Sequence, residues 1–453
     1  VGSEMCIRDR PHRFYIRVLG CAKNLIDAEN LCGRLAERGW LLTNDPYEAD
    51  ILILATCAFI APAREEAARV YHQLARIKRE TSVPLVITGC HPPFFGDKCA
   101  YAFPDADCIL PTWRFDEFAA LAETLLSGKR YDLTSPPPDE PPDDAHRLIL
   151  TPPHTAYIRI SDGCSNTCTF CTIPRIRGKH RPKTAEQILA EASALAALGV
   201  KELILIAQDT TAWRCPKTRM RLPSLLEKLD AVDGLRWIRL MYAHPARITN
   251  RLVSTMRSCR KIVPYIDVPI QHISDRVLSR MGRMGGKKAV VKAIELLKTI
   301  PQICIRTTVM VGFPGETEAE FEELIDFLRE ARFCRVGVFA YSAEDGTEAA
   351  KLERLSKDAV RQRFTRIRRV VSALTLSLHR KLLGKKEKVL VDWVEKDVSV
   401  CRTYRDAPEV DGVVYVLGKL KVGGFVEVRF DDARSGSIIA HPCLLYTSPS
   451  PRD

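Results

Sequence analysis

The sequence predicts an α/β multidomain protein with an N-terminal parallel α/β domain, a partial TIM-like (β/α)6 barrel and a small C-terminal β-barrel. Three observations carry this expectation. The chain has 453 residues, 46% hydrophobic and 27% charged, which is too long for one ordinary domain and too apolar for a disordered chain. A proline-rich acidic run, SPPPDEPPDD at Ser135 to Asp144, interrupts it. Beyond that run, six short apolar stretches alternate with helix-length amphipathic segments.

The two end peptides, 1–10 (VGSEMCIRDR) and 443–453 (CLLYTSPSPRD), share no pattern with their neighbours. They read as adapter-derived tails and are set aside. In the N-terminal domain, 11–134, Phe14 to Leu19, Asp50 to Ala55 and Leu85 to Thr88 are apolar runs of strand length. Helical patterns at Asn24 to Arg38 and Ala61 to Lys78 separate them, so the strands run parallel. The acidic run opens a linker, 135–150, expected to be stiff and solvated because five prolines and four acids leave nothing apolar to bury.

In the barrel domain, 151–350, the expected strands are Tyr157 to Ile160, Glu202 to Gln208, Trp237 to Ala243, Tyr265 to Gln271, Cys304 to Phe313 and Val336 to Ser342. Active residues of such a barrel belong at the carboxyl ends of its strands. A basic linker helix, 351–383, follows, with Phe364, Ile367, Val371, Leu374 and Leu378 at helical spacing. Residues 384–442 alternate short β runs with turns at Asp411-Gly412 and Gly423-Gly424, the pattern of a small β-barrel.

Charge is uneven. Residues 151–350 carry 30 basic and 21 acidic side chains, 351–383 carry 10 and 2, and 384–442 carry 10 of each. The basic barrel and helix are suited either to phosphates or simply to water, and composition leaves both readings open. No apolar run approaches the ~18 residues of a membrane span. The chain holds 16 cysteines; no secretory leader is recognisable, so the expectation is a cytoplasmic protein whose thiols serve metal rather than disulfides.

The most informative cysteines follow the first barrel strand: Gly163, Cys164, Ser165, Asn166, Thr167, Cys168, Thr169, Phe170, Cys171. Zinc sites normally take four ligands, with cysteines in C-x-x-C pairs. Three thiolates can instead hold three irons of a 4Fe-4S cluster and leave the fourth open to a substrate. Three more cysteines, Cys21, Cys57 and Cys90, each closely follow one strand of the first domain, so a parallel sheet would bring them to one edge. From position alone they are either ligands of a second cluster or ordinary core thiols. Val311-Gly312-Phe313-Pro314-Gly315-Glu316, Gln208-Asp209 and Gln271-His272 sit at the active face, with His272 read as a structural imidazole.

The C-x-x-x-C-x-x-C spacing resembles that of radical S-adenosylmethionine (SAM) enzymes. Taken with LGCAKNLIDAE, ATCAFIAPA, YIRISDGCSNTCTFCTIPRIRGKHRP, LILIAQDTT, YIDVPIQHISDRVLSRMGR and RTTVMVGFPGETEAEF, it is similar to the radical-SAM methylthiotransferases, from Phe14 to the end of the barrel. The resemblance implies an N-terminal domain with an auxiliary cluster, a radical-SAM barrel and a C-terminal TRAM domain. It implies two 4Fe-4S clusters, on Cys21, Cys57 and Cys90 and on Cys164, Cys168 and Cys171, with SAM bound at the second. It further implies Phe170, Gln208, Val311, Gly312 and Gly315 as cofactor-binding residues and no catalytic side chain beyond the cluster ligands. Two departures stand out: Ala55 replaces the family's usual asparagine, and His91-Pro92-Pro93 follows Cys90.

Within the family, CRTYRDAPEVDGVVYV (401–416), IQH (270–272) and RVGVFAYS (335–342) are similar to the branch that modifies small-subunit ribosomal protein S-twelve. The charge-neutral C-terminal domain suits that basic partner better than RNA. The implied reaction places a methylthio group on the β-carbon of an aspartate, with docking through the TRAM domain and basic helix and with ribosomal RNA contact as a further expectation. The rival functions are methylthiolation of an adenosine in tRNA and a non-catalytic iron-sulfur sensor on ribosomes. The other internal cysteines, Cys32, Cys99, Cys108, Cys215, Cys259, Cys304, Cys334 and Cys401, read as structural thiols.

Overall fold

Apolar runs bounded by turns become two six-stranded parallel sheets and one closed barrel in a computed structural model that describes residues 10–443. The tails set aside above lie outside the described residues apart from Arg10 and Cys443. In the first sheet the strands are β1 (Arg13–Val18), β2 (Leu41–Leu42), β3 (Ile51–Thr56), β4 (Leu85–Gly89), β5 (Cys108–Ile109) and β6 (Tyr131–Asp132), in the order β2-β1-β3-β4-β5-β6. Strand β3 is buried at all six positions. Its Ile51 and Ile53 pack into one core and Leu52 and Leu54 into another, because helices cover both faces. The three two-residue strands are additions to the expected three; pairs that short show no periodicity.

The acidic linker differs from expectation. It is strapped to the protein rather than solvated: Asp144 is buried, and Arg181 donates to the carbonyls of Pro138 and Glu140. Arg159 and Lys183 of the barrel domain and the Asn30 amide of the first domain close over Asp144 and make that one acid an anchor.

The second sheet is formed by β7 (Thr155–Arg159), β10 (Glu202–Ile206), β11 (Trp237–Leu240), β12 (Ile262–Asp267), β13 (Cys304–Val311) and β14 (Arg335–Ala340), in the order β14-β13-β12-β11-β10-β7. A small hairpin of β8 (Ser161–Asp162) and β9 (Arg181–Pro182) brackets the cysteine triplet. Strands β7 and β14 do not pair with each other, so the barrel is open. Its inside is completed by neighbours: Ala22 and Ile26 from the helix Ala22–Glu37, and Tyr404 and Ala407 from the C-terminal domain, join Tyr157, Ile204, Ile206, Met241 and Tyr265 in one buried cluster.

The helix Lys357–Arg380 begins at a Ser356 cap and lays Ile367, Phe364, Val371 and Leu374 on the barrel. Its charge is partly spent: Arg363 pairs with Glu316 and Glu318, and Arg366 with Glu318 and Glu322. Strands β15 (Lys386–Glu395), β16 (Val398–Thr403), β17 (Val413–Leu417), β18 (Phe425–Ala433) and β19 (Ser437–Pro442) close the last barrel. It docks on the barrel through buried charge. Arg402 pairs with Glu202 (2.7 Å) and Asp392 (2.6 Å), Arg306 with Asp411 (3.2 Å), and the Tyr265 hydroxyl donates to Asp411 (2.7 Å). Part of the zero net charge counted from composition is therefore an interface and not a surface.

Candidate metal centres

Cys21 caps the helix Ala22–Glu37, Cys57 follows β3 directly, and Cys90 caps the short helix His91–Phe95 after β4. Strands β1, β3 and β4 are neighbours, registered Val18 to Ala55 and Thr56 to Gly89, so all three thiols stand at one sheet edge. Gly20 makes this approach possible. At φ +95, a Cβ there would lie 2.7 Å from the Cys57 Cβ. Asn24 ties the edge together, donating to the carbonyls of Leu19 (2.9 Å) and Thr56 (2.7 Å) and accepting from the Cys90 thiol (3.3 Å) and Arg177 (2.8 Å). Burial, then the neighbouring Cys90, pushes the Cys57 thiol up to about 12, and burial also raises Cys90.

The second trio sits on the loop after β8. Gly163, at φ +74, lets the chain turn against Lys179, and the Cys164 amide donates to the Gly178 carbonyl (3.1 Å). The Cys171 amide donates to the Cys168 carbonyl (3.1 Å), and Arg283 reaches the Cys168 sulfur (3.7 Å). All three thiols are partly exposed. Burial pushes Cys171 up to about 12, with the charges of Cys168 and Cys164 adding to it.

The described residues contain no group of three or more His, Cys, Asp or Glu gathered tightly enough for a single metal ion. In a cluster each cysteine binds a different iron, so its sulfurs stand farther apart than the donors of one ion. Soft thiol donors, three per site and close enough to feel one another's charge, fit iron-sulfur clusters in kind and number.

Around the second trio, Phe170 packs edge-on to Phe313, ring centroids 6.5 Å apart. Gln208 donates to Asp162 (2.9 Å). The Gly312 amide, at φ +75, donates to Glu316 (2.7 Å). Val311 is buried in the core between sheet and helices. Gly315, also at φ +75, lies against Arg280. His272 is fully buried; its Nε2 meets Glu316 (3.0 Å), the carboxylate that holds the Gly312 amide, and its Nδ1 accepts from the Ser274 amide (3.0 Å) of its own loop.

The chain just after the second trio meets the edge that carries the first: Thr172 donates to the Phe59 carbonyl (3.2 Å). Arg177, in the helix Ile173–Arg177 just after Cys171, reaches the Cys90 sulfur (3.6 Å) and pairs with Asp27 (2.6 Å). The Lys23 ammonium lies over the ring of Tyr242, 3.2 Å from its centroid. Tyr242 (φ +60) and Gln271 (φ +71), both past the carboxyl ends of barrel strands, hold the left-handed backbone that is uncommon for non-glycine residues. Gln271 was flagged by position; Lys23 and Asn24 lie in the LGCAKN motif, the only signal that pointed near them.

Family models match three stretches: the radical SAM superfamily at residues 158–328, the uncharacterized protein family UPF0004 at 13–111, and the TRAM domain at 383–442. Among relatives, the chain is 41% identical to the ribosomal protein uS12 methylthiotransferase RimO of Thermoanaerobacter sp. (strain X514), over 92% of this chain and 96% of that one. It is 38% identical to the protein of the same name from Geobacter sulfurreducens (strain ATCC 51573 / DSM 12127 / PCA), over 93% and 96%. Among solved structures, the radical SAM methyltransferase TsrM from Kitasatospora setae, with cobalamin and a [4Fe-4S] cluster bound, superposes with a TM-score of 0.56 at 12% identity, over 86% of this chain and 77% of that one, a likeness of fold alone. No helix among the described residues is long and apolar enough to cross a membrane. Near 40% identity across almost the whole length of both chains, with all three family models matched in order, the protein belongs to the RimO family of radical SAM methylthiotransferases.

Proposed function

We propose that this chain places a methylthio group on the β-carbon of an aspartate in small-subunit ribosomal protein S-twelve. The observation that supports the reading is the contact between the two trios' segments, Arg177 just after Cys171 reaching the Cys90 sulfur (3.6 Å) and Thr172 the Phe59 carbonyl (3.2 Å), since sulfur delivery and hydrogen removal at one carbon need both groups within reach of it. Cys164, Cys168 and Cys171 would hold the cluster that binds SAM, and Cys21, Cys57 and Cys90 the auxiliary cluster. When bound, these groups supply what no side chain can: a radical strong enough to take hydrogen from carbon, and the sulfur and methyl that replace it.

The protein's own contribution is placement. The Phe170–Phe313 edge and the Gly312 amide turn, braced by Glu316 and His272, border the SAM side. Arg177 and Asn24 fix the Cys90 side relative to the barrel. Buried Ala22, Ile26, Tyr404 and Ala407 fill the inside of the open barrel.

The test is anaerobic reconstitution followed by iron and sulfide analysis and turnover. Two clusters give ~8 irons per chain, falling to about half in Cys164→Ala and in Cys57→Ala. Mass gain on ribosomal protein S-twelve, with none on unmodified tRNA, is the expected product pattern. Modification of tRNA alone, or iron content unchanged by either substitution, would reject the proposal.

A further inference from the structure

We infer that the Lys23 ammonium receives the carboxylate of the substrate aspartate. The inference rests on the function proposed above and adds the residue that selects its substrate. Lys23 stands in the first turn of the helix Ala22–Glu37, two residues after Cys21, and is only 9% exposed. Its Nζ lies 3.2 Å from the centroid of the Tyr242 ring, and among the described residues it joins no hydrogen bond and no ion pair. A buried ammonium without a hydrogen-bonded anion is unfavourable, so an anion brought to it from outside is bound favourably.

Cys21, two residues away and expected as a cluster ligand, faces it, and the other charged groups that do so are already matched. Asp267 accepts from Arg306 (2.8 Å) and from the Tyr242 amide (3.2 Å), and Asp162 from Arg181 (2.9 Å) and Gln208 (2.9 Å). Arg177, the second cation near the first trio, is held by Asp27 (2.6 Å) and Asn24 (2.8 Å) while reaching Cys90. Lys23 alone is left to meet an incoming anion.

The chemistry suits the reacting atom. The β-carbon of aspartate is bonded directly to its carboxylate carbon, so a grip on the carboxylate fixes the carbon that must lose hydrogen and gain sulfur. Tyr242 beneath the ammonium holds it by a cation–π contact and leaves its donors free. The substrate class selected is an acidic side chain; an amide or a nucleobase offers no charge to match.

The experiment uses the reconstituted full chain and two fluorescent peptides spanning the target site of ribosomal protein S-twelve, one with the aspartate and one with asparagine in its place. Binding is read by anisotropy for the unaltered protein, Lys23→Met and Lys23→Arg, with iron content measured on each sample. The unaltered protein should prefer the aspartate peptide. Lys23→Met should weaken that peptide by at least about 30-fold and the asparagine peptide by less than about threefold, with iron retained; Lys23→Arg should restore part of the preference. A Lys23→Met protein that still prefers aspartate, or that loses iron while peptide binding is unchanged, would overturn the assignment and make Lys23 a counter-ion of the auxiliary site. If the unaltered protein binds neither peptide, the proposed substrate itself is wrong, a failure visible before any variant is compared.

Discussion

Replacing Asp144 by asparagine should detach the N-terminal domain from the barrel in proportion to one broken buried ion network. The Asp144 side chain is fully buried. It accepts from Arg159 Nε (3.1 Å) and Nη2 (2.5 Å), takes a hydrogen bond from Asn30 of the first helix, and pairs with Lys183 (2.6 Å). Removing one partner of a buried pair costs about 3–5 kcal/mol. The lower end applies here, about 3 kcal/mol, because Arg159 keeps Asp27 (2.6 Å) and Lys183 keeps Glu191 (2.9 Å). Exposed Asp139, five residues earlier in the same run, makes no such contacts, and Asp139→Asn should change stability by less than about 0.5 kcal/mol. Urea unfolding of the metal-free chain gives the magnitude, and hydrogen exchange at β7 and the helix Ala22–Glu37 gives its location. Burial alone would raise the Asp144 carboxyl, but Arg159 and Lys183 overcome it and hold the group below the usual range. Its contribution is therefore complete above the unfolded value of about 3.9 and is lost as pH falls toward the folded one. The gap between the two proteins should be constant from neutral pH down to about 5 and shrink below about 4. Equal stability of the two variants, or a gap that persists undiminished under acid, would refute the reasoning.

Gly163→Ala should destabilise the triplet loop by more than about 1 kcal/mol, since a Cβ at φ +74 would stand 2.1 Å from the Lys179 carbonyl; iron analysis should show the barrel cluster lost and the auxiliary one kept. His272→Ala removes a brace and not a reactant, so it should cost about 1–3 kcal/mol in thermal unfolding while deoxyadenosine release from SAM survives; complete loss of release would contradict the role given to this imidazole. Arg402→Met leaves Glu202 and Asp392 facing each other across the domain junction. Limited proteolysis should then cut between the helix Lys357–Arg380 and β15 faster than in the unaltered chain, with iron content unchanged.

The parts of the fold legible in the sequence are those with a long enough pattern. Strands such as β3 and β10, buried on both faces, read as unbroken apolar runs, and Ser356 with its following helix reads from spacing and cap. Two-residue strands have no period to detect and exist only because a neighbour supplies their register. Composition misjudged charge twice for one reason: it cannot tell a solvated acid from a paired one. Asp144 was counted with a solvated run, and Asp392, Arg402 and Asp411 with a surface, although all are committed to interfaces. At the candidate site, the edge shared by Cys21, Cys57 and Cys90 was legible because parallel strands carry their ends to one side. Lys23 and Tyr242 were not, because their meeting joins an N-terminal helix to a barrel strand more than two hundred residues away and leaves no periodic trace.

The borrowed lining of the barrel sets a limit on dissection and recombination. Residues 151–350 cut out alone would have a hollow, greasy bore where Ala22, Ile26, Tyr404 and Ala407 had been, a surface that invites clumping more than folding. A chimera exchanging either flanking module between relatives must also carry over the two plugs that module inserts. Selection therefore acts on the whole chain as one working part, and a change in a plug can silence chemistry carried out by residues it never touches.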